Sequence, residues 1–396
     1  IRRPGGRTEV VAGYPWFGSF MEDTFMALPG LTLSQNRTQD CVDVIETAIN
    51  DMKASGLLDS KVTPPTADAP LWFYFTLQQL EAHVPQKELW AKYGEAMKGI
   101  LEAYRRGFNN EVVMHDNALI WASAERPLTW MATVVDGQPV TPRRGYPVEV
   151  QALWYNAVAY TLAVAKKQGD KAFVAEWKEL PKRIKESFVA KFWLEEEGYL
   201  ADYVNADETN KFIRPNMVMA AGLDYTMLDE EKRVRVLHTA KEHLLTPRGL
   251  RTLSPRNMLY KSNYNEDQRS QDLASRNGSA WVWPLAFYVK ACFALGGEKF
   301  LADAKRLLEA FDAELQNKCV GSISERFEGD PSYAARGSVS HATSVGTLLL
   351  INELIEQFEP KKPARKACQR KSTKSEAKAE VEAKPKRNCV RKSEKK

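Results

Sequence analysis

Apolar residues recur along this chain with helical spacing, in segment after segment, and strand-like alternation is scarce. Over residues 38–55, Val42, Ile45, Ala48, Ile49 and Met52 fall on one helix face. Residues 171–190 place Phe173, Trp177, Leu180, Ile184 and Phe188 together in the same way. The period predicts further helices over about 86–106, 147–167, 229–244, 285–296, 299–316 and 340–357. Asp68, two residues before Pro70, reads as an N-cap, and Asn216 reads as the cap of a following helix. The expected fold class is all-α. Alternating helices with conspicuous loops at regular intervals suggest helical hairpins arranged in a ring.

The loops carry the unusual residues. Residues 128–160 hold Trp130-Met131, an Asp136-Gly137 pair that reads as a tight turn, Thr141-Pro142-Arg143-Arg144-Gly145, and a helix with Glu149, Trp154, Tyr155 and Asn156. Flat rings stack on the apolar faces of a pyranose, and carboxylates and arginine bind its hydroxyls, so this stretch suits a sugar. It suits equally a helix-entry loop with a buried aromatic helix behind it.

Charge changes the picture. The net charge is +5, but residues 359–396 hold 15 Lys and Arg against 5 Glu, leaving the remaining chain at −5. A mildly acidic body, 1–358, is therefore followed by a Lys-rich tail, 359–396, with no apolar face and an expectation of disorder. The body has no electrostatic support for a nucleic-acid partner. No apolar run reaches the length of a membrane span, and the start carries no secretory pattern. Five cysteines without framework or zinc spacing fit a reducing, cytoplasmic setting, and no metal site is expected. The sequence carries no signal for an oligomeric state.

Several blocks, in order over about residues 12–350, resemble the glycogen-debranching enzyme family in its amylo-α-1,6-glucosidase catalytic domain. They are Glu22-Asp23-Thr24, Asp68-Ala69-Pro70-Leu71-Trp72-Phe73, Leu128-Thr129-Trp130-Met131, Arg214-Pro215-Asn216, Asn277-Gly278 with Trp283-Pro284, and Ile323-Ser324-Glu325. The resemblance implies an (α/α)6 toroid of the six-hairpin glycosidase type, an α-glucan as partner (glycogen or limit dextrin), and inverting hydrolysis of α-1,6-linked glucose. It implies no cofactor, because two carboxyls and a water suffice. Glu325 matches the family's general base. Asp23, Asp68, Trp72, Trp130, Arg143, Glu149, Trp154, Asn277 and Trp283 are the expected sugar contacts. Read alone, Asp23 is a helix N-terminal acid and Glu325 a solvated loop carboxylate.

Three positions depart from the family pattern. The general acid after Thr-Trp-Met is Ala132, the arginine before Asp23 is Glu22, and the histidine before Asn277 is Arg276. Alanine donates no proton. Position 132 is thus a natural loss in a glucan-binding pseudoenzyme, an engineered inactivation, or a post taken over by another carboxyl, of which Asp136 and Glu149 are nearest in sequence.

Overall fold

The structure, a computed structural model described here for residues 1–123, 125–262, 267–318 and 320–360, realises the helical pattern. The described residues form α1 (Met21–Thr32), α2 (Thr38–Ala54), α3 (Trp72–Leu80), α4 (Gln86–Arg106), α5 (Val148–Gln168), α6 (Lys171–Trp177), α7 (Leu180–Phe192), α8 (Met217–Gly222), α9 (Glu230–His243), α10 (Gln268–Asn277), α11 (Pro284–Gly296), α12 (Leu301–Glu309) and α13 (Ala342–Phe358). The predicted helix over 171–190 is two helices, because Pro181 opens α7 as a fresh start. Its five predicted core residues are nonetheless all buried.

Two kinds of helix result. On α4, Leu89, Tyr93, Met97, Ile100 and Tyr104 are buried while Glu88, Lys92 and Glu95 face solvent. On α3, α8 and the first half of α11 nearly every residue is buried, including the whole run Trp72-Phe73-Tyr74-Phe75. A helix that is apolar all round requires protein on every side. Accordingly α1, α3, α5, α8, α11 and α13 each pack on the next, and α13 packs back on α1. That last contact is backbone to backbone. A Cβ on Gly30 would run into the Gly346 carbonyl, and one on Gly346 would lie 2.6 Å from the Ala27 carbonyl oxygen.

The all-α expectation needs one correction. The inter-helix loops pair as short β-ladders, the largest being a five-stranded antiparallel set of Leu245–Thr246, Gly249–Arg251, Ala280–Trp281, Arg326–Phe327 and Ala335–Arg336. Strands of two or three residues leave no readable alternation. In this sheet Trp281 sits between Leu250 and Arg326. Gly13–Tyr14 pairs with Ser340–His341, so the segment before α1 is stitched to the segment before α13. The expected Asp136-Gly137 turn closes a two-stranded hairpin with φ of 52° and 75°. Ile1–Glu359 forms one compact unit, and the tail with its expected disorder lies outside the described residues. Among the described residues no helix is long and apolar enough to cross a membrane.

Replacing Gly30 with alanine should lower unfolding stability by about 3 kcal/mol or more in urea titrations, since overpacking against backbone cannot relax. Gly18→Ala, where an added Cβ meets nothing within 4 Å, should change it by less than about 1 kcal/mol.

Candidate functional site

A cavity of about 210 Å³ opens where the inter-helix loops meet. The segment before α1 supplies Phe17 and Phe20, and the first turns of α1 supply Glu22, Asp23 and Met26. Trp130 and Ala132 come from the loop before the 134–139 hairpin, and Arg276 from the end of α10. Trp281 and Trp283 lie just before α11; Glu325 and His341 come from either end of the loop region before α13. A larger groove of about 480 Å³ beside α12 is mainly apolar, with Asp303 the one carboxyl in its lining. Chemistry, not size, selects the smaller cavity.

The walls are indole. Trp130 stands edge-on to Trp283, with centroids 4.9 Å apart, and 5.7 Å from Trp281. Arg276 lies over the rings of Trp130 and Trp281, at 5.1 and 4.6 Å, and donates from Nε to Thr133 Oγ1 at 2.9 Å. Flat rings with a cation against them suit the apolar faces and hydroxyl rim of a sugar.

Three carboxyls share this space. Glu325, just before strand Arg326–Phe327, accepts from Arg326 Nη1 at 2.7 Å and from the Ser338 amide at 2.9 Å. Gly337, at φ +72°, leaves room for that carboxylate, since a Cβ there would overlap Glu325 Oε2. Asp23 opens on the cavity but is packed on its other sides. Burial, with Glu22 and Glu325 nearby, pushes its carboxyl up to about 8, against the pull of Arg276. Burial also raises Glu22, whose Oε2 is sealed from solvent without a partner among the described residues. His341 bonds Thr343 Oγ1 at 2.8 Å, and burial lowers it to about 4, so its ring is neutral near pH 7.

Behind the wall lies a buried ion network. Trp130 Nε1 donates to Asn216 Oδ1 at 2.7 Å, and Asn216 Nδ2 donates to Asp202 Oδ1 at 2.7 Å. Arg143 Nε donates to Asp202 Oδ2 at 2.8 Å, and its two terminal nitrogens grip both oxygens of Glu149. Arg214 reaches the Thr252 and Arg276 carbonyls, at 2.9 and 2.6 Å, and Asn277 Oδ1 at 3.0 Å. The network thus ties the loop of Ala132 to the end of α10.

Of the residues singled out in the sequence, Ala132, Glu325, Asp23, Trp130 and Trp283 meet at the cavity. The others need correction. Arg143 and Glu149 are spent on each other and on Asp202, away from the lining. Asn277 is held by Arg214. Trp154 is core, stacked on Tyr104 with its indole N–H on the Ala118 carbonyl. Asp68 does not cap; it is buried, accepts from Trp72 Nε1 at 3.0 Å, and is raised to about 6 by burial. Trp72 packs edge-on behind Trp283 at 5.8 Å and is itself fully covered. Asn216 likewise braces Trp130 instead of capping α8. Asp136 pairs with Arg269 at the surface. Sequence reasoning missed Phe17, Phe20, Thr66, Trp281 and His341 as lining. Only Trp281, in a tryptophan-rich block, offered a signal.

An indole-walled cavity with several carboxyls, on a helix-rich scaffold, suits the faces and hydroxyls of a sugar ring. The chain belongs to the amylo-α-1,6-glucosidase family, whose model matches residues 2–350. It is similar to the glycogen debranching enzyme of Saccharomyces cerevisiae, 24% identical over 232 residues, a match covering 47% of this chain but 15% of the yeast protein. Its fold is similar to that of an uncharacterized conserved protein from Thermus thermophilus, with a TM-score of 0.60, 12% identity, and coverage of 87% of this chain and 96% of that one.

Arg143→Met should cost about 3–5 kcal/mol in urea unfolding, because it strands Glu149 and Asp202 in the interior. A second outcome concerns pH. The folded protein keeps a proton on Asp23 up to about pH 8, whereas the unfolded chain releases it in the ordinary carboxylate range. Stability therefore falls as pH rises toward 8. His341 titrates lower, so between about pH 6.5 and 8 Asp23→Asn should flatten that decline in urea midpoints measured across the range.

Proposed function

We propose that the cavity takes the terminal glucose of an α-glucan and that the reaction of this site is inverting hydrolysis of the α-1,6 bond at glycogen or limit-dextrin branch points. The observation that carries the reading is Glu325: it stands on an indole-walled cavity with room for one sugar ring, its carboxylate oriented by Arg326 and the Ser338 amide. In that role it takes a proton from the water that attacks C1 on the face opposite the leaving oxygen. The closed contact cycle of α1, α3, α5, α8, α11 and α13 supports an (α/α)6 toroid with the cavity among its loops. Trp130 and Trp283 stack on the ring; Asp23 holds hydroxyls.

The acid is the weak half. Ala132 lines the same cavity and donates nothing. A positioned general acid is worth about 10²- to 10⁴-fold, so the chain is slow relative to a form with a carboxyl at 132. A second reading, an α-glucan-binding protein without catalysis, is favoured by one observation: Glu22, Ala132 and Arg276, the three departures from the family pattern, all line this one cavity.

Ala132→Asp should raise glucose release from phosphorylase limit dextrin by about 10²-fold, with the β-anomer appearing first by NMR. Adding Glu325→Gln should abolish that gain. If neither the native chain nor the aspartate variant releases glucose while both bind the dextrin, the binding-protein reading stands instead.

A further inference from the structure

We propose that Glu22 is the proton donor of this pocket, delivering to the glycosidic oxygen the proton that Ala132 cannot. The inference rests on the glucosidase reading above.

Hydrolysis with inversion needs two carboxyls in opposite protonation states. The cavity holds three, and two are committed. Glu325 is oriented by Arg326 and the Ser338 amide as a base. Asp23, with Glu22, Glu325 and Arg276 nearby, is the group assigned above to the hydroxyls of the ring. The two carboxyls nearest Ala132 in sequence are elsewhere: Asp136 on Arg269 at the surface, Glu149 in the Arg143 network. His341 is neutral and has no proton to spare at neutral pH as an acid. Glu22 is what remains, and it stands where the family pattern has an arginine.

Its setting favours the neutral acid. Oε2 is sealed from solvent, with no hydrogen-bond partner among the described residues. An ionised carboxylate left that way is costly, whereas a carboxylic acid is much less so. The charged groups near it include Asp23 and Asp68, both of its own sign, and Arg276 lines the same cavity. The start of α1 and the backbone amides there pull the other way, toward the anion. Burial outweighs them, and Glu22 is raised above its ordinary value. A carboxyl that lines the pocket, has one oxygen unpartnered and is raised by burial has the setting a general acid needs.

The step balances. The Glu22 O–H proton passes to the glycosidic oxygen as the C1–O bond breaks. Water adds to C1 and loses its proton to Glu325. One water is consumed, and a proton returns from Glu325 to Glu22 through solvent to close the cycle.

The test compares two substrates with the full chain. α-Glucosyl fluoride expels fluoride without protonation, so it needs the pocket and the base but not the acid. Limit dextrin needs all three. The native chain should act on both, and Glu22→Gln should lower dextrin turnover at least ~10-fold more than fluoride turnover. Adding Ala132→Asp to that variant should restore the dextrin. Retained fluoride turnover also reports that the variant is folded. If Glu22→Gln lowers both rates equally, or if the native chain hydrolyses the fluoride but never the dextrin, the inference is overturned while the base and pocket stand. If the native chain hydrolyses neither, the glucosidase reading falls with it.

Discussion

Two guanidiniums and two carboxylates buried together, Arg143 and Arg214 with Glu149 and Asp202, are the constraint on which the cavity depends. Ions taken from water are tolerated only when paired and saturated with hydrogen bonds. Arg143 satisfies that by gripping two carboxylates at once. The geometry this demands is passed outward. Asp202 holds Asn216, Asn216 holds the Trp130 indole, and Arg214 holds Asn277 and the Arg276 carbonyl. The wall of the pocket is thus positioned by charges that never touch its contents.

A second layer works by packing. Asp68 orients Trp72, Trp72 stands edge-on to Trp283, and Trp283 to Trp130. Edge-to-face contacts of this kind define ring orientation as well as burying area. The three departures from the family pattern noted above, Glu22, Ala132 and Arg276, all lie in the lining.

Much of this was legible in residue order. The helices over 38–55, 86–106 and 147–167 follow from apolar spacing and correspond to α2, α4 and α5. The blocks around Asp23, Trp130, Trp283 and Glu325 could be recognised as likenesses, and those residues meet at one cavity. Less legible was which member of a block faces inward. Arg143 and Glu149 carry the same charges whether they bind a hydroxyl or each other. Asp68 and Asn216 sit at helix starts, where capping is the local expectation, but an indole N–H in each case supplies the stronger claim. Phe17 and His341 come from opposite ends of the chain, joined by the pairing of Gly13–Tyr14 with Ser340–His341.

The sequence by itself determined the helical class, the separation of an acidic body from a basic tail, and an alanine, without a carboxyl, at position 132. Those follow from periodicity, composition and residue identity, which are local properties. Tertiary structure decided which charges are buried and which open on the cavity, because a carboxyl's role depends on neighbours distant in the chain. It placed Glu22 and Asp23 beside Glu325, about 300 residues later, and it placed Glu149 out of reach behind Arg143. Burial then raised Asp23 and Glu22 above their ordinary values, a property that no spacing along the chain encodes.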